Sequence, residues 1–216
     1  MAADRWSRLE REFRSSGQWL IAGIDEVGRG PLAGPVVACA IVMSPDARCI
    51  RGVADSKKLS AAERERLAAL IGERALAVGV AAASVREIDR LNILRATTLA
   101  MRRALDRIVR RMPEAPHHIL VDGRPVQNLG FEHTAVVGGD ATCYSIACAS
   151  IIAKVTRDDL MSRLAARHRD YGWERNSGYG TAEHREALLR CGRTPHHRTT
   201  FGISRQLELE LAPDGE

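Results

Sequence analysis

Residues 24–37 read IDEVGRGPLAGPVV, and the architecture that we expect for the chain follows from them. They join two short apolar segments, Trp19 to Asp25 and Val36 to Met43, through a turn rich in glycine and proline. Short apolar runs bounded in this way predict strands. Because the connection is too short for a crossover, we expect the two strands to be antiparallel. The first strand then ends at two adjacent acids, Asp25 and Glu26, directly before the glycines.

Beyond this turn, strand-like segments alternate with longer helix-like ones, which is typical of an α/β or α+β domain. Two capping-box patterns, Ser60 to Glu63 and Ser84 to Glu87, predict helix starts. Apolar residues recur at helical spacing between Asn92 and Arg111, and the arginines of that helix are expected to form a solvated face. The remaining predictions are strands at Leu76 to Ala83, His118 to Val121 and Glu132 to Val137, a helix rich in small residues from Tyr144 to Arg167, and a helical C-terminal portion.

The composition is that of a globular protein, with 45% hydrophobic and 27% charged residues among 216. Apolar runs stop well short of the roughly 18–20 residues that a membrane helix needs. Residues 1–14 mix acids with arginines, unlike a secretion signal or a transit peptide, so we expect a cytoplasmic protein. Five cysteines without a CxxC pair predict reduced thiols rather than a disulfide framework or a zinc site.

The net charge of +5 suits a polyanionic partner, although many soluble domains are mildly basic. The chain holds 29 arginines and three lysines, Lys57, Lys58 and Lys154. All three lysines fall in segments that carry the motifs described below. A lysine ammonium is a compact charge suited to phosphate, but chance placement explains three residues equally well.

Four acids are distinguished by their position at strand ends. Asp25 and Glu26 end the first strand, Asp122 ends a later one, and Asp140 follows another after two glycines. Adjacent strand residues point to opposite faces, so Asp25 and Glu26 could share a site only if the backbone departs from regular geometry there. Four carboxylates offer only oxygen ligands, which Mg²⁺ or Mn²⁺ prefers over zinc. Taken singly, each acid has the alternative role of a helix cap or a turn residue.

Two other kinds of site are disfavoured. The run Gly28 to Ala33 satisfies the dinucleotide fingerprint G-x-G-x-x-G/A, but it leads through prolines into a second strand instead of opening a helix. The adjacent histidine pairs, His117-His118 and His196-His197, lack a partner lysine at a suggestive spacing for metal-independent RNA cleavage. We interpret these histidines as structural or surface groups.

The opening run resembles the signature of the type 2 ribonucleases H, the ribonuclease HII family. Further matching segments follow in the order of that family and together span residues 21 to 201: Asp55 to Leu59, Leu120 to Gly123, Gly139-Asp140, Ala149 to Asp158, Gly178 to Thr181 and His197-Arg198. The resemblance implies a ribonuclease H-like fold, a mixed central sheet flanked by helices. It also implies a single catalytic domain over 1–216, with a core at about 18–170 and a helical, substrate-binding C-terminal portion at about 171–216.

The same resemblance implies an endoribonuclease that hydrolyses the RNA strand of RNA/DNA hybrids and nicks 5′ to single ribonucleotides in duplex DNA. It implies two-metal catalysis with Mn²⁺ or Mg²⁺, giving 5′-phosphate and 3′-hydroxyl ends. The implied metal-binding catalytic acids are Asp25, Glu26, Asp122 and Asp140, and the implied substrate-binding residues are Gly28, Arg29, Gly30 and Tyr179. Lys57 is a candidate phosphate contact, and Lys154 could instead pair with an acid of the site. We expect a monomer that acts on nucleic acid and not at a membrane.

Alternatives to this assignment remain. Ribonuclease HIII shares much of the signature but normally carries an extra N-terminal domain, whereas 24 residues precede Asp25 here. A resolvase of the same fold is disfavoured by the uninterrupted opening run. A non-catalytic hybrid-binding protein would be expected to lack one or more of the acids. One departure from the family pattern, Ser177 in place of the usual lysine before Gly178, puts one phosphate contact in doubt.

Overall fold

The computed structural model describes residues 7–201, which form a five-stranded mixed sheet with helices on both faces. The strand order is β3-β2-β1-β4-β5, with β1 at the centre. It pairs antiparallel with β2, as the short turn predicts, and parallel with β4. The strands are β1 Ile21–Val27, β2 Val36–Met43, β3 Ala75–Ala83, β4 His118–Asp122 and β5 Thr134–Val136.

The helices follow the predicted alternation. The capping box at Ser84 opens a short helix that ends at Leu91, and Asn92, with φ +69°, begins a second one. The α-helices are α1 Arg8–Ser15, α2 Ala61–Arg74, α3 Val85–Leu91, α4 Ile93–Val109, α5 Gly139–Thr142, α6 Tyr144–Ala165, α7 Trp173–Asn176 and α8 Ala182–Cys191, with 3-10 turns at Ser56–Lys58 and Arg169–Tyr171. No helix within residues 7–201 is both long and apolar enough to cross a membrane.

The two faces of the sheet bury different helices. Ile24 and Val121 pack with α4 in one apolar cluster, whereas Cys39 and Ile41 pack with α2 and α6 in another. Helix α6 lies unusually close to the sheet, as its small residues predict: a Cβ atom at Gly23 would stand 2.3 Å from the Ser145 carbonyl carbon. This close contact places the N-terminal half of α6 against the central strand that carries Asp25.

Glu10 fixes the start of α6 from a different helix, a role that the sequence analysis did not anticipate. Its side chain is fully buried and accepts hydrogen bonds from the backbone N–H groups of Tyr144 and Ser145 at 3.0 and 2.9 Å. The Ser145 hydroxyl donates to it at 2.6 Å, and the N–H of Ser7 at 2.7 Å. The N-cap residue of α6, Cys143, makes no side-chain cap, so Glu10 satisfies N–H groups that would otherwise have no partner.

The arginines at the end of α4 are largely exposed, as expected, but three of them also donate hydrogen bonds to strand β3. Arg103 and Arg111 donate to the carbonyl oxygens of Ala82 and Val78 at 3.0 and 3.1 Å. Arg107, between them, donates to the Val80 carbonyl. Strand β3 lies at the edge of the sheet, so these oxygens would otherwise be open to pairing with another chain. The three arginines, spaced four residues apart along α4 and the turn after it, therefore cover the free edge.

Removing this cover is expected to cause aggregation with little loss of stability. In the double variant Arg107→Gln/Arg111→Gln, two strand carbonyls lose their donors and become available to a second sheet. We expect the half-time of aggregation, measured by light scattering at a fixed temperature, to shorten severalfold. Arg86→Gln/Arg95→Gln removes the same charge from exposed positions and should leave the half-time unchanged. Equal aggregation of the two double variants would show that net charge, not edge cover, is responsible.

Candidate active site

Strand pairing brings the predicted acids to one end of the sheet. Ile24 of β1 pairs with Val121 of β4, so Asp25 and Asp122 follow side by side at the carboxyl ends of parallel strands. Strand β5 lies beyond β4 and leads into the glycine turn before Asp140. The backbone N–H of Asp140 donates to the Asp122 carboxylate at 3.3 Å, which joins these two acids directly.

Glu26 joins the same cluster without the backbone departure that we expected. The ladder between β1 and β2 stays in register through Asp25 and Glu26 to Val27. The N–H of Glu26 donates to the Asp25 carboxylate at 2.7 Å. The charge of the Glu26 carboxylate raises the pKa of Asp25, and the charge of Asp122 raises the pKa of Glu26. The three carboxylates are therefore close to one another. The strand ends one residue later, at Val27, and Gly28 follows with φ +90°, so the two acids lie at the rim of the sheet.

Burial and mutual repulsion make the anionic form of this cluster costly. Burial raises the pKa of Asp25 well above its ordinary value, and the charges of Glu26 and Asp122 raise it further. The Ser150 hydroxyl of α6 favours the ionised form of Asp25 and lowers its pKa, which opposes part of this rise. Burial likewise raises the pKa of Asp122, with Asp140 as the next cause. A bound cation would relieve this repulsion, because it favours the ionised carboxylates.

The donor set fits a hard divalent cation. The four carboxyls supply oxygen ligands alone, the type that Mg²⁺ and Mn²⁺ prefer. Across residues 7–201, no three acid, imidazole or thiol side chains converge closely enough to hold an ion unaided. Sites for Mg²⁺ commonly use one or two carboxylates, with water and substrate phosphate completing the shell. The cluster therefore suits ions that a phosphate substrate helps to hold.

One lysine reaches the acids and another does not. Lys57 stands on the 3-10 turn that Asp55 caps, and its ammonium lies 3.3 Å from the Asp140 carboxylate. Its side chain is 79% exposed, so it is also accessible to a substrate phosphate. Lys154 pairs instead with Asp158, one turn along α6, at 2.7 Å. The alternative that Lys154 pairs with a site acid is therefore wrong.

The turn after β1 lies directly beside the acids. Arg29 donates to the Glu26 carboxylate at 3.1 Å, and its side chain remains half exposed. Gly28 adopts a positive φ, and a Cβ atom there would lie 2.1 Å from the Arg157 Nε atom. Gly30 faces Tyr179, whose ring would be 3.6 Å from a Cβ atom at that glycine. The first glycine is thus required by backbone geometry and packing, and the second leaves its backbone open beside an aromatic ring.

Tyr179 stands on a loop that is tied to this turn and is not packed into the core. Tyr179 is 46% exposed. Its N–H donates to the Asn176 carbonyl at 2.8 Å, and its carbonyl accepts from His184 Nδ1 at 2.9 Å. The Gly178 carbonyl accepts the N–H of Leu32 at 2.8 Å, so the C-terminal loop and the turn are hydrogen bonded to each other. Ser177, in place of the usual lysine, donates weakly to Asp158 at 3.4 Å.

Two buried histidines support this loop in their neutral form. Because His184 Nδ1 donates to the Tyr179 carbonyl, its Nε2 is an acceptor, and it receives Trp173 Nε1–H at 3.1 Å. It also receives His197 Nε2–H at 3.0 Å, and His197 Nδ1 accepts the Thr194 N–H at 2.9 Å. Burial, followed by the charge that His184 would carry, lowers the pKa of His197 to about 3. Protonation of either ring would turn its accepting nitrogen into a donor that faces another N–H donor, and the hydrogen bond there would be lost.

This pair predicts a loss of stability in mild acid. The folded-state pKa of His197 lies below the ordinary value of about 6.5, so the unfolded chain takes up a proton that the folded chain refuses. The neutral His197 ring contributes fully to the free energy of unfolding above about pH 6.5. This contribution falls, by at most about 1.4 kcal/mol per pH unit, as the pH drops toward the folded-state pKa. Denaturant unfolding at pH 7.5 and 5.0 measures it. His197→Gln should flatten this dependence, whereas the exposed His117→Gln should not; equal slopes for the two variants would contradict it.

The comparisons with known proteins agree with this geometry. A family model described as ribonuclease HII matches residues 22–203. The ribonuclease HII of Granulibacter bethesdensis is 56% identical over 204 residues, covering 93% of this chain and 90% of that protein. The ribonuclease HII of Thermosynechococcus vestitus is 53% identical over 194 residues, covering 89% and 88% of the two chains.

Solved structures show the same fold. The ribonuclease H2 from Pyrococcus horikoshii superimposes with a TM-score of 0.73 at 28% identity, covering 88% of this chain and 98% of that one. Ribonuclease HIII solved as "Bst-RNase HIII in complex with Mn2+" gives a TM-score of 0.74 at 22% identity, covering 90% and 70% of the two chains. At that identity the second likeness concerns the fold alone.

A mixed sheet that carries an acid cluster at its carboxyl edge defines a nuclease of the ribonuclease H-like fold. Within this class, the chain belongs to the ribonuclease HII family. It is a metal-dependent endoribonuclease that acts on RNA in RNA/DNA hybrids. Relatives with more than half of their residues identical are ribonuclease HII enzymes, which disfavours the ribonuclease HIII alternative.

Proposed function

We propose that the protein nicks duplex DNA on the 5′ side of single embedded ribonucleotides and also hydrolyses longer RNA/DNA hybrids. Asp25, Glu26, Asp122 and Asp140 would hold Mg²⁺ or Mn²⁺ as the catalytic acids. The observation that carries the proposal is the acid cluster at the end of β1, directly joined to a turn with open backbone and an exposed aromatic ring. The first feature serves phosphodiester chemistry, and the second can distinguish one sugar from another.

Each acid has a role that its position supports. We assign Asp25, which feels the charges of both Glu26 and Asp122, to be shared between two ions. Glu26 and Asp122 would complete one site, and Asp140, held by Lys57, would serve the other. Two divalent ions roughly 3.5–4 Å apart activate water, neutralise the phosphoryl charge and stabilise the leaving 3′ oxygen, which gives 5′-phosphate and 3′-hydroxyl ends.

Recognition of RNA requires contact with the 2′-hydroxyl, which both donates and accepts hydrogen bonds. The backbone of Gly28, Arg29 and Gly30 would make this contact beside the acids, because glycine leaves room for a sugar. The Tyr179 ring would stack on the neighbouring sugar, where a second 2′-hydroxyl would crowd it. Its closeness to Gly30 supports the proposal that the two contacts fall on adjacent nucleotides. Arg29 and Lys57, both substantially exposed, would contact phosphates.

The same reasoning extends to the organisation of the chain. We assign the whole chain, 1–216, to one catalytic domain, with a core at about 18–170. The portion from about 171, which supplies Tyr179, would bind substrate. We propose a cytoplasmic monomer that acts on nucleic acid and not at a membrane.

Tyr179 provides the test of the recognition step. We expect Tyr179→Ala to lower kcat/KM on a duplex with one ribonucleotide by roughly 10- to 100-fold, since an aromatic stacking contact contributes about 1–3 kcal/mol. Tyr179→Phe keeps the ring and should retain most of the activity. Steady-state nicking assays measure both. Equal activity of Tyr179→Ala and the unchanged protein would exclude the ring from substrate recognition.

Metal removal separates the enzyme from a protein that only binds hybrids. With Mg²⁺ or Mn²⁺, we expect nicking of the same duplex; with EDTA, we expect binding without cleavage, because the acids alone provide no activation of water. An all-DNA duplex should remain intact in every arm. Binding without cleavage in the presence of either metal would support the non-catalytic alternative.

A further inference from the structure

Two buried guanidinium groups hold the turn between β1 and β2 from the inside. Arg157 and Arg198 are 0% and 1% exposed and rank among the largest fully buried side chains. Neither forms an ion pair with an acid in the described part of the chain. Both donate to backbone carbonyl oxygens instead. Since a buried charge without an acid partner is costly, the carbonyls of the turn must be fixed in position to compensate it.

The two arginines divide the turn between them. Arg198 donates to the carbonyls of Gly28 at 2.5 Å, Arg29 at 2.9 Å and Gly34 at 2.8 Å. Arg157 donates to the carbonyls of Ala33, Pro35 and Ser177 at 3.2, 3.1 and 3.0 Å. Only Arg198 thus reaches the peptide groups on either side of Arg29.

The direction of these carbonyls fixes the direction of the adjacent N–H groups. In a planar trans peptide the C=O and the following N–H point opposite ways. Because the Gly28 and Arg29 carbonyls face Arg198, the N–H groups of Arg29 and Gly30 face away from it. Among the described backbone hydrogen bonds, neither N–H has an acceptor. The turn therefore presents two neighbouring free donors, and Tyr179 lies close to Gly30, which carries one of them.

We propose that Arg198 is the positioning residue for sugar recognition: it fixes two peptide planes so that the N–H groups of Arg29 and Gly30 point at the 2′-hydroxyl of the ribonucleotide. The inference rests on the proposed function. Arg198 touches neither substrate nor metal in this account. It holds the turn in its binding conformation before the sugar binds, so that binding does not carry the free-energy cost of ordering the turn.

The surroundings of Arg198 are built to hold its planar fork. The Phe201 ring lies over the guanidinium at 4.7 Å, and the Arg198 N–H donates to the Leu32 carbonyl at 2.8 Å. Asp89 accepts the N–H groups of Thr199 and Thr200 at 3.0 and 3.1 Å, which anchors the following residues. Burial, followed by the charge of Arg157, lowers the pKa of Arg198 to about 9. A lysine would keep the charge but could not reach the three carbonyls in one plane.

The test compares Arg198→Lys with Arg157→Lys, a matched control that changes the other buried arginine of the same turn. Both are placed in an Asp25→Asn background, and Kd is measured for a duplex with one ribonucleotide and for its all-DNA counterpart. We define the selectivity as the all-DNA Kd divided by the Kd for the ribonucleotide duplex. We expect Arg198→Lys to lower this ratio about tenfold, because binding of the ribonucleotide duplex weakens while the all-DNA Kd stays unchanged. Arg157→Lys should keep the ratio within about twofold, although both variants lower Tm.

A second variant tests the proposal if the first does not fold, and a nicking assay of the unchanged protein tests the proposed function separately. Asp89→Asn weakens the hydrogen bonds to Thr199 and Thr200, which follow Arg198, and should lower the same Kd ratio about threefold. This variant replaces Arg198→Lys in the test if Arg198→Lys does not fold. An unchanged ratio in the folded Arg198→Lys variant, or in Asp89→Asn where it stands in, would overturn the proposal. So would an equal loss in Arg157→Lys. Failure of the unchanged protein to nick the ribonucleotide duplex would instead contradict the proposed function itself.

Discussion

The variant Asp25→Asn is expected to lose nicking by at least about 10³-fold and, at the same time, to melt at a higher temperature than the unchanged protein. Removing one carboxylate from the cluster removes the ligand that we assign to both ions, an effect of several kcal/mol on the transition state. Asparagine is isosteric, and its amide oxygen can still accept from the Glu26 N–H. The loss would therefore come from charge and not from shape.

The rise in Tm follows from the direction of the pKa shift. Burial first, and then Glu26 and Asp122, raise the folded-state pKa of Asp25 above its unfolded value. The folded chain therefore holds the ionised carboxylate less well than the unfolded chain does, and stability falls as the pH rises above the unfolded value. A neutral side chain removes that cost at neutral pH.

Single-turnover nicking with Mg²⁺ or Mn²⁺ at pH 7.5 measures the first effect. Thermal unfolding at the same pH without metal measures the second. Asp159→Asn, an exposed acid paired with Arg163 on α6, is the control and should change neither quantity by much. Lower activity together with a lower Tm in Asp25→Asn would indicate general damage to the fold. Retained nicking would exclude Asp25 as a catalytic acid.

Glu10→Ala is expected to destabilise the protein by about 3–5 kcal/mol. The substitution leaves the buried N–H groups of Tyr144 and Ser145 without an acceptor at the start of α6. It also removes a negative charge from the positive end of that helix. Since total stabilities are about 5–15 kcal/mol, such a loss is a large fraction of the whole.

Glu12→Ala provides the matched control, because Glu12 lies two residues further along the same helix. It is exposed and pairs with Arg8, so its loss should cost less than about 1 kcal/mol. Denaturant unfolding gives both values. Similar losses for the two variants would mean that α1 contributes through its helix content and not through the bonds of Glu10 to α6.

The sequence predicted those parts of the site that depend on local pattern. The antiparallel turn, the acids at strand ends and the small-residue helix against the sheet follow from spacing and composition, and the structure places them accordingly. The expected backbone break between Asp25 and Glu26 was wrong. The acids meet because the strand ends one residue after Glu26, at Val27, directly before Gly28.

The features that were missed depend on contacts between distant segments. Glu10 reads as the third residue of a capping box in its own helix, and only the fold brings it to Ser145. Arg103 and its neighbours on α4 look like a solvated face until the edge strand is placed beside them. Arg198 lies in a matching motif, but its carbonyl partners are about 165 to 170 residues away. No local pattern records such partners.

The most direct test of the account is the position of the nick on an end-labelled duplex that contains one ribonucleotide, with Mg²⁺ or Mn²⁺ present. Two-metal hydrolysis guided by the turn predicts one break on the 5′ side of the ribonucleotide, with a 3′-hydroxyl on the upstream fragment and a 5′-phosphate on the ribonucleotide. A break on its 3′ side would contradict this mechanism. Ends that carry a 2′,3′-cyclic phosphate would also contradict it, because the 2′-hydroxyl would then be the nucleophile and not the group that the turn recognises.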